Sequence, residues 1–311
     1  MDIVTSTAEI RALDKAQKEL ITYYHYIEAW VISVNNRYGA GDDGKTNFVQ
    51  ETESLLTSRG VQMGTPISPA LMENYNRGRW TLSLMKYLPI DSYSKLTLYA
   101  NLWLPVHSYY AINAIGKASM IALNMNVPRG HHPFIRAFLN LVQCYLPYPF
   151  CGLCVGGPEK WDFSFPQLNT SASEVVQQSH LANPALADGD NLIGKSLATT
   201  RKKRIDERLG NKRKKDKKPG KKWKRLTFQE KRDCCRRVAP TSICDLIYRM
   251  RCKSNYDSPD MYLSASGDVH GATNHYKNLL YLTEILIAGL ETLIERRIGQ
   301  TEMVALKSRF E

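Results

Sequence analysis

The sequence lacks a long apolar run. No stretch of the 311 residues approaches the roughly 20 consecutive apolar residues that a membrane-spanning helix needs. The start of the chain also lacks the layout of a secretory signal peptide, so we expect a cytoplasmic protein without a membrane partner. Alternating apolar and polar residues are scarce and no internal repeat is visible, which argues against a β-sheet protein or a repeat array.

The cysteine pattern argues against a disulfide framework. The chain has 7 cysteines, an odd number, and no secretory signal accompanies them. Cys151-Gly-Leu-Cys154 has the spacing found in zinc knuckles. However, the other pair, Cys234-Cys235, is adjacent in sequence and suits a tetrahedral site poorly. Cys151 and Cys154 are therefore weak candidates for metal ligands, with thiols in a turn as the alternative, and we expect no metal and no cofactor.

Positive charge is concentrated in one internal segment. Arg201 to Arg237 holds 19 Lys and Arg against 5 Asp and Glu, a net charge of +14 in a chain whose total is +12. Its densest part, Lys212 to Arg225, repels itself and cannot bury its charges. We therefore expect that part to stay extended or loosely ordered until it meets an anion. Nucleic acid fits this requirement best, because each neutralised phosphate releases counterions; a solvated loop is the alternative.

The basic segment supplies the candidate nucleic-acid-binding residues. Their cations are expected to contact phosphates, which positions a nucleic acid without reading its sequence. Trp223, Trp161 and Phe228 are candidates to stack on unpaired bases. The candidate binding residues are Lys212, Arg213, Lys214, Lys215, Lys217, Lys218, Lys221, Lys222, Trp223, Lys224 and Arg225.

Helical periodicity dominates the rest of the chain and predicts an all-α protein. Residues 38–47 are predicted as a loop, and residues 147–200 are rich in Pro, Gly, Ser, Asn and Gln without a sustained period, which is typical of irregular structure. The apolar spacing predicts helices over residues 7–34, 48–58, 71–88, 92–125 with a break near Pro105, 131–145, from 242 onward, and 272–298.

Two motifs flank residues 147–240. The first is His107-Ser-Tyr-Tyr-Ala, followed by His132 and an apolar helix. The second is Arg251-Cys-Lys-Ser-Asn-Tyr256, followed by a long amphipathic helix. This arrangement resembles the HEPN superfamily of helical domains, in which a Tyr-Tyr-Ala helix and a His precede an Arg-x-x-x-Asp-Tyr motif and a closing helix. Arg251, Asn255 and Tyr256 fall on that motif, with Asn in place of Asp.

The resemblance implies a domain organisation. An N-terminal helical extension would cover 1–91, and a HEPN-like bundle would combine 92–146 with 241–311. Residues 147–240 would form an irregular insertion that ends in the basic arm, 201–237. Family members usually form homodimers or mixed pairs, and so long an insertion inside a compact domain is usually functional.

The resemblance also implies a chemistry. Many members are metal-independent ribonucleases with an Arg-x4–6-His motif, in which the cation stabilises the phosphorane and the His moves a proton. Here the expected His positions after Arg251 hold Tyr256, Asp257 and Ser258. Arg251, Asn255 and Tyr256, with His132 as the substitute base, are the candidate catalytic residues. The alternative is a satisfied polar network that pins the bundle.

We therefore expect a nucleic-acid-binding HEPN-like protein of a prokaryotic defence or toxin system. It acts either as a ribonuclease or as a degenerate partner that binds RNA or DNA, with RNA favoured. We expect a homodimer or a subunit of a larger defence complex. The alternative is a non-catalytic structural subunit of a larger protein or ribonucleoprotein complex.

Overall fold

The computed structural model describes most of the chain, and the helices account for most of what it describes. The described residues are 15–90, 94–157, 160–165, 170–171, 184–215, 226–257, 259–263, 269–308 and 310. Their helices are α1 (Lys15–Tyr38), α2 (Gly41–Ser58), α3 (Pro69–Lys86), α4 (Ser94–Ala122), α5 (His131–Tyr145), α6 (Pro184–Lys215), α7 (Phe228–Arg236), α8 (Ile243–Cys252), α9 (Asp260–Leu263), α10 (Val269–Ile298) and α11 (Gln300–Lys307), with a π-helical turn, Lys253–Asp257, after α8. The predicted all-α class is confirmed.

A small antiparallel sheet accompanies the helices. It consists of β1 (Leu153–Gly157), β2 (Lys160–Phe165) and β3 (Thr170–Ser171), in that order. Leu153 lies opposite Ser164, which lies opposite Ser171. Because this sheet and α6 occupy the stretch predicted as irregular, that part of the prediction is wrong for the described residues.

The chain divides into two compact units. The first unit comprises residues 1–127 and 247–311, and the second unit comprises residues 128–246. One boundary falls inside α8, between Leu246 and Ile247. This division differs from the predicted one, because α1–α3 belong to the same unit as α4 and α10, whereas α5 belongs to the second unit.

The first unit is built around two long helices. α4 and α10 pack along each other, α3 packs on α4, and α1 and α2 pack on α10. The close approach of α3 to α4 depends on Gly78, since a Cβ there would lie 2.5 Å from Cγ1 of Ile115. Both long helices contribute fully buried apolar side chains, with Ile112, Ile115, Leu286 and Leu290 at 0–1% exposure. The unit therefore has a continuous helical core.

The predicted loop at 38–47 is wrong, because α2 begins at Gly41. Gly39 and Gly41 have positive φ angles of 93° and 64°, which permits a tight turn after α1. Gly44 lies inside α2, and a Cβ at that position would come within 2.0 Å of the Gly39 carbonyl oxygen. These glycines bring α2 back against α1 and do not mark an extended loop.

The second unit joins β1 to α6 and α7. Both helices pack against β1 and against each other. α7 begins with a capping box: the Thr227 hydroxyl accepts from the Glu230 backbone N–H at 3.2 Å, and the Glu230 carboxylate accepts from the Thr227 N–H at 2.8 Å. The cap sets the start of α7, and therefore the direction in which its first residue, Phe228, projects.

Candidate nucleic-acid interface

The net charge of the protein lies in the second unit. Residues 128–246 contain 23 Lys and Arg against 11 Asp and Glu, whereas the rest of the chain contains 19 of each. The first unit is therefore neutral, and the second unit carries the whole +12. A unit of 119 residues with this balance creates a positive potential that attracts polyanions.

Part of this charge has a structural role inside the unit. Arg201 on α6 is 3% exposed, and its guanidinium donates to four backbone carbonyls. Nε reaches the carbonyl of Gly156 at 2.9 Å and one terminal nitrogen that of Ala239 at 2.7 Å. The other terminal nitrogen reaches Val238 at 3.1 Å and Cys235 at 3.4 Å. Arg201 thus ties β1 to the segment that follows α7.

Arg204, one turn along α6, forms a half-buried ion pair. Its guanidinium lies 2.6 Å from the carboxylate of Asp245, which is 4% exposed. That carboxylate also accepts from the backbone N–H of Ser242 at 2.9 Å. Burial raises the pKa of Asp245, and the neighbouring Arg204 opposes the rise. Arg204, like Arg201, therefore stabilises the fold of the second unit, and its guanidinium is not free to bind a ligand.

The remaining Lys and Arg side chains of α6 and α7 differ in whether a carboxylate pairs with them. Lys202 pairs with Asp206 at 2.9 Å, and Lys212 pairs with Glu230 at 3.3 Å. A further set is exposed, and no carboxylate of the described residues forms an ion pair with any of its members. This set, which we call the open cations, consists of Arg208, Arg213, Lys231, Arg232, Arg236 and Arg237.

A groove of about 750 Å³ lies between α6, α7 and the end of β1. Its floor is apolar, and its α7 side presents an aromatic ring and three of the open cations. Phe228, the ring, is 62% exposed. The groove is lined by Val155, Gly156, Gly157, Arg201, Ile205, Leu209, Phe228, Lys231, Arg232, Cys235, Arg236, Val238 and Pro240.

The predicted binding residues have mixed outcomes. Lys212 through Lys215 belong to α6, so the prediction of an extended or loosely ordered chain is wrong there. Lys212 is paired with Glu230, and Arg213 is exposed. Lys214 and Lys215 end the helix. The remaining predicted residues lie outside the described part of the chain: Lys217, Lys218, Lys221, Lys222, Trp223, Lys224 and Arg225.

The predicted catalytic residue Arg251 lies at the centre of an aromatic cluster in the first unit. It is 4% exposed, and its guanidinium donates to the Tyr110 hydroxyl at 2.9 Å. The guanidinium carbon lies 5.1 Å from the ring centre of Tyr110, 5.5 Å from Tyr109, 5.6 Å from Tyr248 and 5.7 Å from Tyr256. Tyr109 is fully buried, whereas Tyr256 is 69% exposed. Arg251 therefore joins α4, α8 and the π-helical turn.

The other predicted catalytic residues lie on different elements. Asn255 is half-buried on the π-helical turn, and Tyr256 covers Arg251 from the outside. His132 is exposed on α5 in the second unit. His107 lies three residues before Tyr110 on α4, and burial lowers its pKa. The pairing of Arg251 with His132 stays a prediction.

The cysteines of the second unit are not grouped as metal ligands. Among the described residues no cluster of three or more His, Cys, Asp and Glu is suited to hold a metal ion. Cys151 is fully buried beside Tyr148 and Phe163. Cys154 pairs its backbone with Thr241, and burial raises the pKa of its thiol to about 12. Both therefore act as small apolar core residues.

Comparison of the chain with protein-family models, curated proteins and solved structures finds no match. None of the described helices is long and apolar enough to span a bilayer. The function of the protein must therefore be inferred from the site itself.

Sequence reasoning named Phe228 as a stacking residue but did not identify the helix face on which it lies. Lys231, Arg232 and Arg236 follow Phe228 at intervals of three, four and eight residues, so all four share one face of α7. This shorter pattern directly follows the much denser basic run, Lys212 to Arg225. Helical spacing within residues 228–236 was the available signal.

Proposed function

We propose that this protein binds nucleic acid through the second unit, with RNA as the first ligand to test. The observation that carries the proposal is the set of open cations on α6 and α7, in the unit that holds the entire net charge. Cations without carboxylate partners bind phosphates without first breaking an ion pair. Each phosphate contact releases condensed counterions, which makes binding favourable and dependent on salt.

The open cations are suited to hold a backbone rather than to read a sequence. They are surface side chains on two helices, and Lys and Arg in such positions contact phosphate oxygens. Arg201 adds positive charge near them, although its donors are already used inside the unit, whereas Asp245 balances the charge of Arg204. The proposal therefore predicts binding with little sequence preference.

Cleavage of RNA at Arg251 has weaker support. The guanidinium is nearly inaccessible, and its contacts are with one hydroxyl and four aromatic rings. These contacts favour a role in holding three elements of the first unit together. A HEPN-type ribonuclease is a second proposal, which a cleavage assay with Arg251→Ala tests: loss of a cleavage activity that the wild type displays supports it only if circular dichroism shows that the variant is folded.

The binding proposal is tested by a salt titration. Affinity for a labelled single-stranded RNA is measured between low and moderate salt for the wild type and for Lys231→Ala/Arg232→Ala/Arg236→Ala. Each lost phosphate contact lowers the slope of log affinity against log salt by about 0.7, so the triple variant is expected to lose about 2 units of slope. The control removes three cations of the neutral unit: Arg59 and Lys277, which are exposed, and Lys45, which is partly exposed.

An unchanged slope in the triple variant contradicts the proposal. Absence of binding by the wild type at low salt contradicts it more broadly, and favours the architectural alternative, in which the basic surface contacts an acidic protein. Equal losses in the triple variant and in its control from the first unit indicate nonspecific attraction by net charge, and not an interface on α6 and α7.

A further inference from the structure

The groove of the second unit combines three features on one wall. Phe228, Lys231 and Arg236 lie on the same face of α7, and that face borders the groove. Phe228 is a large apolar residue, yet most of its surface is exposed. An exposed aromatic ring beside cations is the usual composition of a surface that stacks bases of single-stranded nucleic acid.

The acidic residues of α7 are directed away from the groove. The Glu230 carboxylate caps the helix and pairs with Lys212. Asp233 accepts from the side chain of Gln229 at 3.0 Å. Neither carboxylate lines the groove. Among the described residues that line the groove, the cations therefore have no opposing acid, which suits an anionic ligand.

The opposite wall and floor suit the flat, apolar face of a base. Ile205 and Leu209 follow Arg201 at helical spacing along α6 and form the floor. Gly156 and Gly157 at the end of β1 line the groove with backbone and contribute no side chain of their own. The volume, about 750 Å³, falls within the range of about 300–1,000 Å³ that is usual for small-molecule sites. A single nucleotide fits this volume.

We propose that this groove holds one unpaired nucleotide of a single-stranded nucleic acid. Its base stacks on Phe228 above the apolar floor, and its flanking phosphates contact Lys231, Arg232 and Arg236. The inference rests on the proposed function and makes it specific: the protein prefers single strands, because base pairing hides the face that Phe228 contacts. RNA and DNA share this chemistry, so both are included in the test.

The first test compares single-stranded and duplex RNA of the same sequence at one salt concentration. Phe228→Ala is expected to weaken single-strand binding by roughly 5-fold to 150-fold, the range for one stacked base. Duplex binding is expected to stay unchanged. Phe228→Trp is expected to restore single-strand binding. The control, Tyr87→Ala, removes an aromatic ring that is 83% exposed in the first unit.

A second test places the ligand in the groove. Cys235 lines the groove and is partly accessible, whereas Cys144 is exposed on α5 and does not line it. Alkylation of both thiols is followed by mass spectrometry, with and without a saturating oligonucleotide. We expect the oligonucleotide to slow alkylation of Cys235 by several-fold and to leave Cys144 unaffected. Unchanged alkylation of Cys235 at saturation contradicts the proposal.

The outcomes separate the two proposals. If the triple cation variant loses salt slope but Phe228→Ala binds single strands like the wild type, the interface stands and the nucleotide site does not. If Phe228→Ala weakens single strands and duplexes equally, the ring is not stacking on a base, and the inference is overturned. The affinities for RNA and DNA oligonucleotides of the same sequence then show which sugar the groove accepts. Equal affinities mean that base stacking and phosphate contacts determine binding without a contribution from the sugar.

Discussion

His275 provides the sharpest prediction about the stability of the first unit. It lies on α10, is 2% exposed, and stacks on Tyr24 with ring centres 4.3 Å apart and an interplanar angle of 23°. Neither of its ring nitrogens has a hydrogen-bond partner among the described residues. Burial lowers the pKa of His275 to about 3, so the folded protein holds this ring neutral well below the pH at which an exposed imidazole is protonated.

The sign and the size of the effect follow from linkage. In the unfolded chain the imidazole titrates near an ordinary pKa of about 6.5, so as pH falls the unfolded state binds a proton that the folded state does not. The stability tied to His275 is complete above that pH and is lost as pH falls toward about 3. At pH 5 the loss amounts to about 2 kcal/mol.

The measurement is urea unfolding of the wild type and of His275→Phe at pH 8 and at pH 5, followed by circular dichroism. Phe keeps a ring against Tyr24 and cannot be protonated. We expect the variant to lose about 2 kcal/mol less than the wild type between the two pH values, because other titrating groups cancel in the difference. His275→Leu is a second variant in case the larger ring is not accommodated.

The control is His270→Asn, which removes an exposed histidine from the same helix and is expected to retain the wild-type pH dependence. The reasoning is refuted if His275→Phe and His275→Leu both fold and show the same loss of stability between pH 8 and pH 5 as the wild type. That result would mean that the ring is protonated in the folded protein or accessible to water.

Three other predictions concern packing and polar contacts. Gly78→Ala is expected to destabilise the protein by about 1–3 kcal/mol by overpacking against Ile115, despite the better helix propensity of alanine. Thermal unfolding of Gly78→Ala checks this against a Gly210→Ala control, where an added Cβ would meet no atom within 4 Å. Arg251→Met is expected to cost about 2 kcal/mol, and a double-mutant cycle with Tyr110→Phe is expected to show coupling of about 0.5–3 kcal/mol; a coupling near zero would contradict the cluster. Asp245→Asn is expected to cost about 2 kcal/mol through the weakened contact with Arg204, and local hydrogen exchange near Ser242 is expected to rise.

Much of the helical fold could be predicted from the spacing of apolar residues. The prediction of 131–145 coincides with α5, and that of 272–298 falls within α10. Pro105 does not break α4, although a break was predicted there. Long helices with one continuous apolar face carry a strong periodic signal, and tertiary packing then holds even a proline in place.

α6 could not be recognised in the same way, because its buried face contains a charge. Ile193, Leu197, Arg201, Ile205 and Leu209 are spaced four residues apart, and the first four are at most 3% exposed. Arginine in the middle of that series interrupts the apolar pattern. Only the four carbonyls that surround its guanidinium explain why it is buried, and they come from distant parts of the sequence.

The candidate site could be predicted only in part for a related reason. The basic segment could be identified from composition alone, because the number of charged residues can be counted without knowing which of them form ion pairs. Which cations are paired depends on carboxylates brought near by folding, as with Arg204 and Asp245, 41 residues apart. The groove likewise requires β1, α6 and α7 to assemble. The sequence identified the segment, but the structure was needed to identify the side chains that face a ligand.

The four carbonyls held by Arg201 have a consequence for mutagenesis. Lysine at this position would preserve the formal charge, yet an ammonium group lacks the planar fork that spans Gly156 and Ala239. Arg201→Lys would thus loosen the wall of the groove, although the net charge of the protein would not change. If this variant bound nucleic acid more weakly, the cause would be a displaced groove wall. The result would not show that Arg201 contacts a phosphate.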